Sequence, residues 1–123
     1  MQAAAELLSE AAPDVPTALV GYSFGCALLP HVRVPGPPCP RVLIAPTVGR
    51  HDYDPYRTVD GPLLVVASED DFATDCRRLR AWFDGLGARR QLILRCFDNH
   101  FFRGHEGWLV EAVSAFLREQ WGE

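Results

Sequence analysis

A chain of 123 residues is enough for one domain with a genuine core, and 48% apolar with 23% charged residues is the composition of a soluble globular protein. A net charge of −4 with no long basic run gives nucleic-acid binding no electrostatic support. No apolar stretch approaches a membrane span, the N-terminus lacks the basic region of a signal peptide, and Cys26, Cys39, Cys76 and Cys96 form no CxxC pair, so reduced thiols and a cytoplasmic location are expected.

Ala4, Leu7, Leu8 and Ala11 recur at helical spacing, which predicts an amphipathic helix over 2–12 ended by Pro13. Thr17-Ala18-Leu19-Val20 reads as a short buried strand, and Phe24 to Leu29 as the first turns of a helix that Pro30 and the following prolines cut short. Arg41-Val42-Leu43-Ile44-Ala45 is a second strand. Residues 46–61 are expected to form a loop, with His51-Asp52-Tyr53-Asp54 facing substrate or solvent. Pro62-Leu63-Leu64-Val65-Val66-Ala67 is a third strand whose unbroken apolar run implies burial on both faces.

A helix then starts with Thr74 as its cap, carries the stripe Leu79, Trp82, Phe83 and Leu86, and ends at Gly87. Residues 91–97 form a fourth strand, and a last helix from Glu106 presents Leu109, Ala112, Val113, Phe116 and Leu117. The order predicts an α/β three-layer sandwich: a short parallel sheet of about four strands covered by crossover helices. Ligand sites in such sheets lie at the carboxyl ends of the strands.

Ser23 sits at one of those ends, inside Gly21-Tyr22-Ser23-Phe24-Gly25. A serine between two glycines at a strand-to-helix switch has the form of a nucleophile elbow, a turn tight enough to strain the serine backbone and raise its hydroxyl above the sheet. The glycines avoid Cβ collisions there, and the helix N–H groups face any negative charge that develops. The pattern alone is common, so its context carries the weight. The third strand runs into Ser68-Glu69-Asp70-Asp71 and the fourth into Asp98-Asn99-His100. One rim therefore gathers a serine, an acid and a histidine, in the order Ser…Asp…His. A serine needs a base beside it, histidine suits that task, and an acid orients the imidazole. His31, His51 and His105 fit this placement less well, and the His51–Asp54 segment lacks the partner cluster a metal site needs.

These motifs, and above all Asn99-His100-Phe101-Phe102-Arg103-Gly104, resemble the small bacterial α/β-hydrolases, with the nearest likeness to dienelactone-hydrolase-like serine hydrolases. The resemblance spans residues 17–120. It implies a Ser-His-Asp triad acting on ester-like small molecules, with Ser23 as nucleophile, His100 as base and Asp71 as orienting acid. Ser68 stands where the pattern has glycine, which keeps Asp70 as a second choice for the acid. The resemblance also implies that residues 1–123 correspond to the C-terminal part of a fold with about eight strands. A truncated fold of this kind offers only the Phe24 N–H for an oxyanion hole and leaves the elbow strand as an open apolar edge. A homodimer or a missing N-terminal half would cover that edge. A non-catalytic remnant serving as a binding module is the competing expectation. No phosphate-cradling glycine motif is present, and neither a cofactor nor a metal is expected.

Overall fold

The computed structural model describes residues 2–11, 14–87, 89–97 and 100–122. Its elements in chain order are α1 (Gln2–Ala11), β1 (Leu19–Tyr22), α2 (Gly25–Leu28), β2 (Arg41–Ile44), β3 (Leu63–Ser68), α3 (Cys76–Asp84), β4 (Arg90–Arg95) and α4 (Glu106–Trp121). Short 3-10 turns occupy Leu29–His31 and Asp54–Thr58. The four strands form one parallel sheet in the order β1-β2-β3-β4, with Leu19 opposite Arg41, Arg41 opposite Leu63, and Leu63 opposite Arg90.

Every residue of β3 is buried, as a strand flanked on both sides and covered on both faces must be. Side chains alternate along the strands and so build two cores. On one face Leu43, Leu63, Val65 and Ala67 pack with Cys26 and Leu29 after the elbow, Tyr53 and Tyr56, and Leu79 and Trp82 of α3. On the other, Val42, Leu64 and Val66 pack with Phe97, Phe102 and Phe116, flanked by Trp108, Leu109, Val113 and Leu117 of α4. The three layers are α2 and α3 on one face, the sheet, and α4 on the other, with a core at each junction.

Several local expectations are corrected. Within His51–Asp54, expected to face substrate or solvent, Tyr53 is buried in the core, as is Tyr56 just beyond, while His51, Asp52 and Asp54 are exposed. The Tyr56 hydroxyl donates to the Cys26 carbonyl, and the Trp82 indole donates to the Tyr53 carbonyl at 2.9 Å, so both of these buried donors are satisfied. The cap of α3 is Asp75, whose carboxylate accepts the Arg78 N–H, while the Thr74 hydroxyl is spent on the Pro46 carbonyl. That helix stops at Asp84, with Gly85 rather than Gly87 as its C-cap. Pro30 sits inside a 3-10 turn that prolongs α2, because its missing N–H is not needed in the first turn.

Helix α1 does not bury its stripe: Leu7 and Leu8 are 65% and 64% exposed, and the Gln2 side chain ties the helix to the backbone of Arg33. Pro13, expected to end it, lies outside the described residues, as do Asp98 and Asn99.

Candidate active site

The elbow is present as a strained turn. Ser23 has φ 55, a left-handed conformation that an L-residue other than glycine adopts at a cost of about 1–3 kcal/mol. Its N–H is anchored to the Ile44 carbonyl at the end of β2 (2.9 Å), and its carbonyl accepts the Cys26 N–H (3.0 Å). Gly21 is required by space: a Cβ there would lie 3.0 Å from both the Cα and N of Cys26. Gly25 is not, since a Cβ on it meets nothing within 4 Å. That corrects the expectation that both glycines relieve a collision. Helix α2 is a single turn, so its macrodipole is small and only its nearest N–H groups matter electrostatically.

The turn after β3 presents two acids in different directions. Asp70 is held by the Ser68 hydroxyl, whose oxygen also accepts the Phe97 N–H at 2.9 Å. Ser68 therefore stitches β3 to the segment after β4, a task that glycine could not perform. Asp71 points to His100 instead. One of its oxygens lies 2.5 Å from His100 Nδ1, and the other accepts the Ala73 N–H at 2.7 Å.

His100 completes the chain of contacts, with Nε2 2.9 Å from Ser23 Oγ. This pattern assigns the tautomer: Nδ1–H donates to Asp71, and Nε2 accepts the serine hydroxyl. The side chain of Asp71 is fully buried and that of His100 nearly so, which keeps water from competing for their bond. Phe102, two residues on, has φ 55 and is buried against Phe97 (ring centroids 4.8 Å), fixing the loop that carries the histidine.

Rings surround the site. Phe72 and Phe101 flank the imidazole at 5.0 and 5.3 Å, and Tyr22 lies at 5.3 Å on its own hydrogen bond to the His100 carbonyl. Phe24 packs on His51 at 4.7 Å. Phe24, Phe72 and Phe101 are all half-exposed or more, so an apolar collar is left open to solvent beside Ser23. Tyr22 and Phe101 lie inside the two motifs but carried no role there, and Phe72 had no signal in the sequence. The one residue it named that stands apart is Asp70. Of the other histidines, His31 lies in a 3-10 turn and His105 packs on Phe97, while His51 bonds to Thr47.

A cleft of about 490 Å³ lies elsewhere, lined by Pro16, Thr17, Pro40, Pro62, Arg89 and Trp121 among others. Thr17, Pro40, Pro62 and Arg89 precede the four strands, so this cleft is on the opposite rim from Ser23. Among the described residues no group of three or more His, Cys, Asp or Glu side chains could hold a metal ion, and no helix is long and apolar enough to cross a membrane.

No protein-family model matches this chain, and no curated protein matches it. Among solved structures it superposes on an α/β serine hydrolase without lid from Xanthomonas campestris, with a TM-score of 0.74 and 26% identity over 95% of this chain and 53% of that one. The chain has the α/β-hydrolase fold. An α/β serine hydrolase homologue from Coxiella burnetii matches with a TM-score of 0.73 and 19% identity over 95% of this chain and 55% of that one. The esterase domain of a Rhodothermus marinus protein gives a TM-score of 0.73 and 17% identity over 95% of this chain and 66% of that one. The chain therefore spans between 53% and 66% of the length of these α/β-hydrolase structures.

Proposed function

We propose that the protein is a serine hydrolase acting on ester-like small molecules, carboxylic esters or thioesters, with Ser23 as nucleophile, His100 as general base and acid, and Asp71 as the orienting acid. The observation that carries this reading is the imidazole of His100, hydrogen-bonded to Asp71 on one nitrogen and Ser23 on the other. In the reaction His100 Nε2 takes the Ser23 proton as Oγ attacks the carbonyl carbon, and the Phe24 N–H donates to the oxyanion. The imidazolium, stabilised by Asp71, returns its proton to the leaving alcohol or thiol as that bond breaks. His100 then activates water, which releases the acid from Ser23.

This reading takes residues 1–123 as the C-terminal part of a larger fold; the chain spans 53% and 55% of the two serine-hydrolase structures it superposes on. It also places the protein in the cytoplasm, in keeping with four free cysteines.

One observation favours the second reading, a non-catalytic binding module. Among the described residues β1 pairs only with β2, and Val20 and Tyr22 on it are 52% and 43% exposed. A second copy of the chain, or a polypeptide supplying the upstream half of the fold, would cover that edge. The test is labelling with a fluorophosphonate, followed by mass spectrometry and hydrolysis of p-nitrophenyl acetate. The hydrolase reading expects label on Ser23 and loss of turnover in Ser23→Ala. Label on another serine, or turnover that survives this substitution, sinks it.

A further inference from the structure

His100 reaches the serine from the far side of the sheet. It follows β4, whereas Ser23 follows β1, and these strands are the two edges of the sheet, roughly 14 Å apart at about 4.8 Å per strand. The His100 side chain therefore meets a serine that follows the opposite edge strand, and Asp71 holds it at one atom only. A ring held at one nitrogen can still swing about that bond. The second hold is Tyr22: its hydroxyl donates to the His100 carbonyl at 2.9 Å, between residues 78 positions apart. Tyr22 is the last residue of β1 and immediately precedes Ser23, so the nucleophile and this anchor share one strand end. Desolvation, with the charge of Asp71 adding to it, raises the Tyr22 pKa and keeps the phenol a donor.

We propose that Tyr22 is a positioning residue: by fixing the backbone of His100 to the end of the elbow strand, it keeps Nε2 within hydrogen-bond reach of Ser23 Oγ. Its catalytic consequence rests on the hydrolase reading; the anchoring itself does not. Asp71 sets the direction of the imidazole, Tyr22 sets the position of its backbone, and the rings of Phe72 and Phe101 limit what rotation is left.

The test is Tyr22→Phe, which keeps the ring and removes the donor. Fluorophosphonate labelling of Ser23 and kcat for p-nitrophenyl acetate should both fall about tenfold, the weight of one hydrogen bond, with KM nearly unchanged and the unfolding midpoint lowered only modestly. In the proton NMR spectrum the low-field His100 Nδ1–H resonance should broaden as the imidazole loosens. Incorporation of 4-aminophenylalanine at position 22 returns an N–H to the same place and should restore most of the loss. Labelling and kcat within about twofold of the parent, together with a sharp imidazole resonance, would overturn the proposal, as would a loss that the amino analogue does not rescue. If the parent protein fails to label Ser23, the hydrolase reading falls. The resonance then decides alone: broadened in Tyr22→Phe it supports the anchor, and unchanged it removes it.

Discussion

The Ser68 hydroxyl holds the carboxylate of Asp70 in the seam between β3 and β4, while the next residue, Asp71, turns to the imidazole of His100. Adjacent acids in one turn thus have separate employments, one structural and one at the site. We expect Asp71→Asn to lose about four orders of magnitude in kcat, because an amide favours the wrong imidazole tautomer. Asp70→Asn should keep turnover within severalfold and lower stability by about 1 kcal/mol through its bond to Ser68. Ester hydrolysis and urea unfolding on both variants decide it; the reverse ranking of turnover would transfer the acid role to Asp70.

The two elbow glycines should respond differently to a methyl group. Gly21→Ala forces a Cβ against the backbone of Cys26 and should cost about 1–3 kcal/mol and most of the Ser23 reactivity. Gly25→Ala enters open space in the first turn of α2 and should leave stability unchanged or raise it by up to about 1 kcal/mol. Urea midpoints that fall equally for both would show that Gly25 answers to something beyond the described residues.

Phe72 is 66% exposed, yet it stands beside the imidazole, so removing it should disturb substrate more than fold. Phe72→Ala is expected to raise KM severalfold for esters with a bulky apolar group, reflecting about 1 kcal/mol of lost contact, and to leave acetyl esters nearly unaffected. A uniform fall in kcat with constant KM would argue that the ring supports His100 instead.

The core on the elbow side resists alkali. Burial pushes Cys26 and Tyr53 up to about 12 and raises Tyr56 further. The unfolded chain ionises these groups at about 8.5 for cysteine and about 10 for tyrosine. Their neutral forms therefore contribute stability that is complete below about pH 8.5 and is lost as pH climbs towards 12. Urea midpoints should decline across that window, with tyrosinate absorbance growing in step with unfolding. Tyr22 is partly exposed, so the test is made in Tyr22→Phe: tyrosinate that develops near pH 10 while that variant is still folded would contradict the burial of Tyr53 and Tyr56.

The outer edge of β1 should drive self-association. Val20 is 52% exposed on that strand, and Leu7 and Leu8 of α1 are exposed as well. Val20→Lys puts a charge where soluble proteins place one to block edge pairing, and it should shift sedimentation towards monomer. A parent protein that already sediments as a monomer at high concentration would show that the edge is harmless.

Short apolar runs and stripes of period 3.6 were enough to read four parallel strands, the helices between them and the rim that carries Ser23 and His100; the spatial order of the strands, each beside its neighbour in sequence, came with the structure. What stayed hidden depends on direction rather than pattern. Asp70 and Asp71 are chemically identical, and what separates them is their partners, Ser68 for the one and His100 with the Ala73 N–H for the other. Tyr53 and Tyr56 sit in a stretch rich in turn residues, and their burial follows from Trp82 and Cys26, far away in sequence. Tyr22 bonds to a backbone carbonyl, a partner that leaves no trace in residue types. The stripe of α1 was legible as a stripe, but periodicity cannot tell what, if anything, lies against it.

Ser23, Asp71 and His100 follow β1, β3 and β4, so the contact between serine and imidazole closes a loop around the full width of the sheet. Any change in sheet twist, or fraying at β4, moves one end of that contact relative to the other before the cores open. The 2.9 Å contact thus ties the two edge strands to one another, and opening of either edge is enough to break it while both cores stay closed.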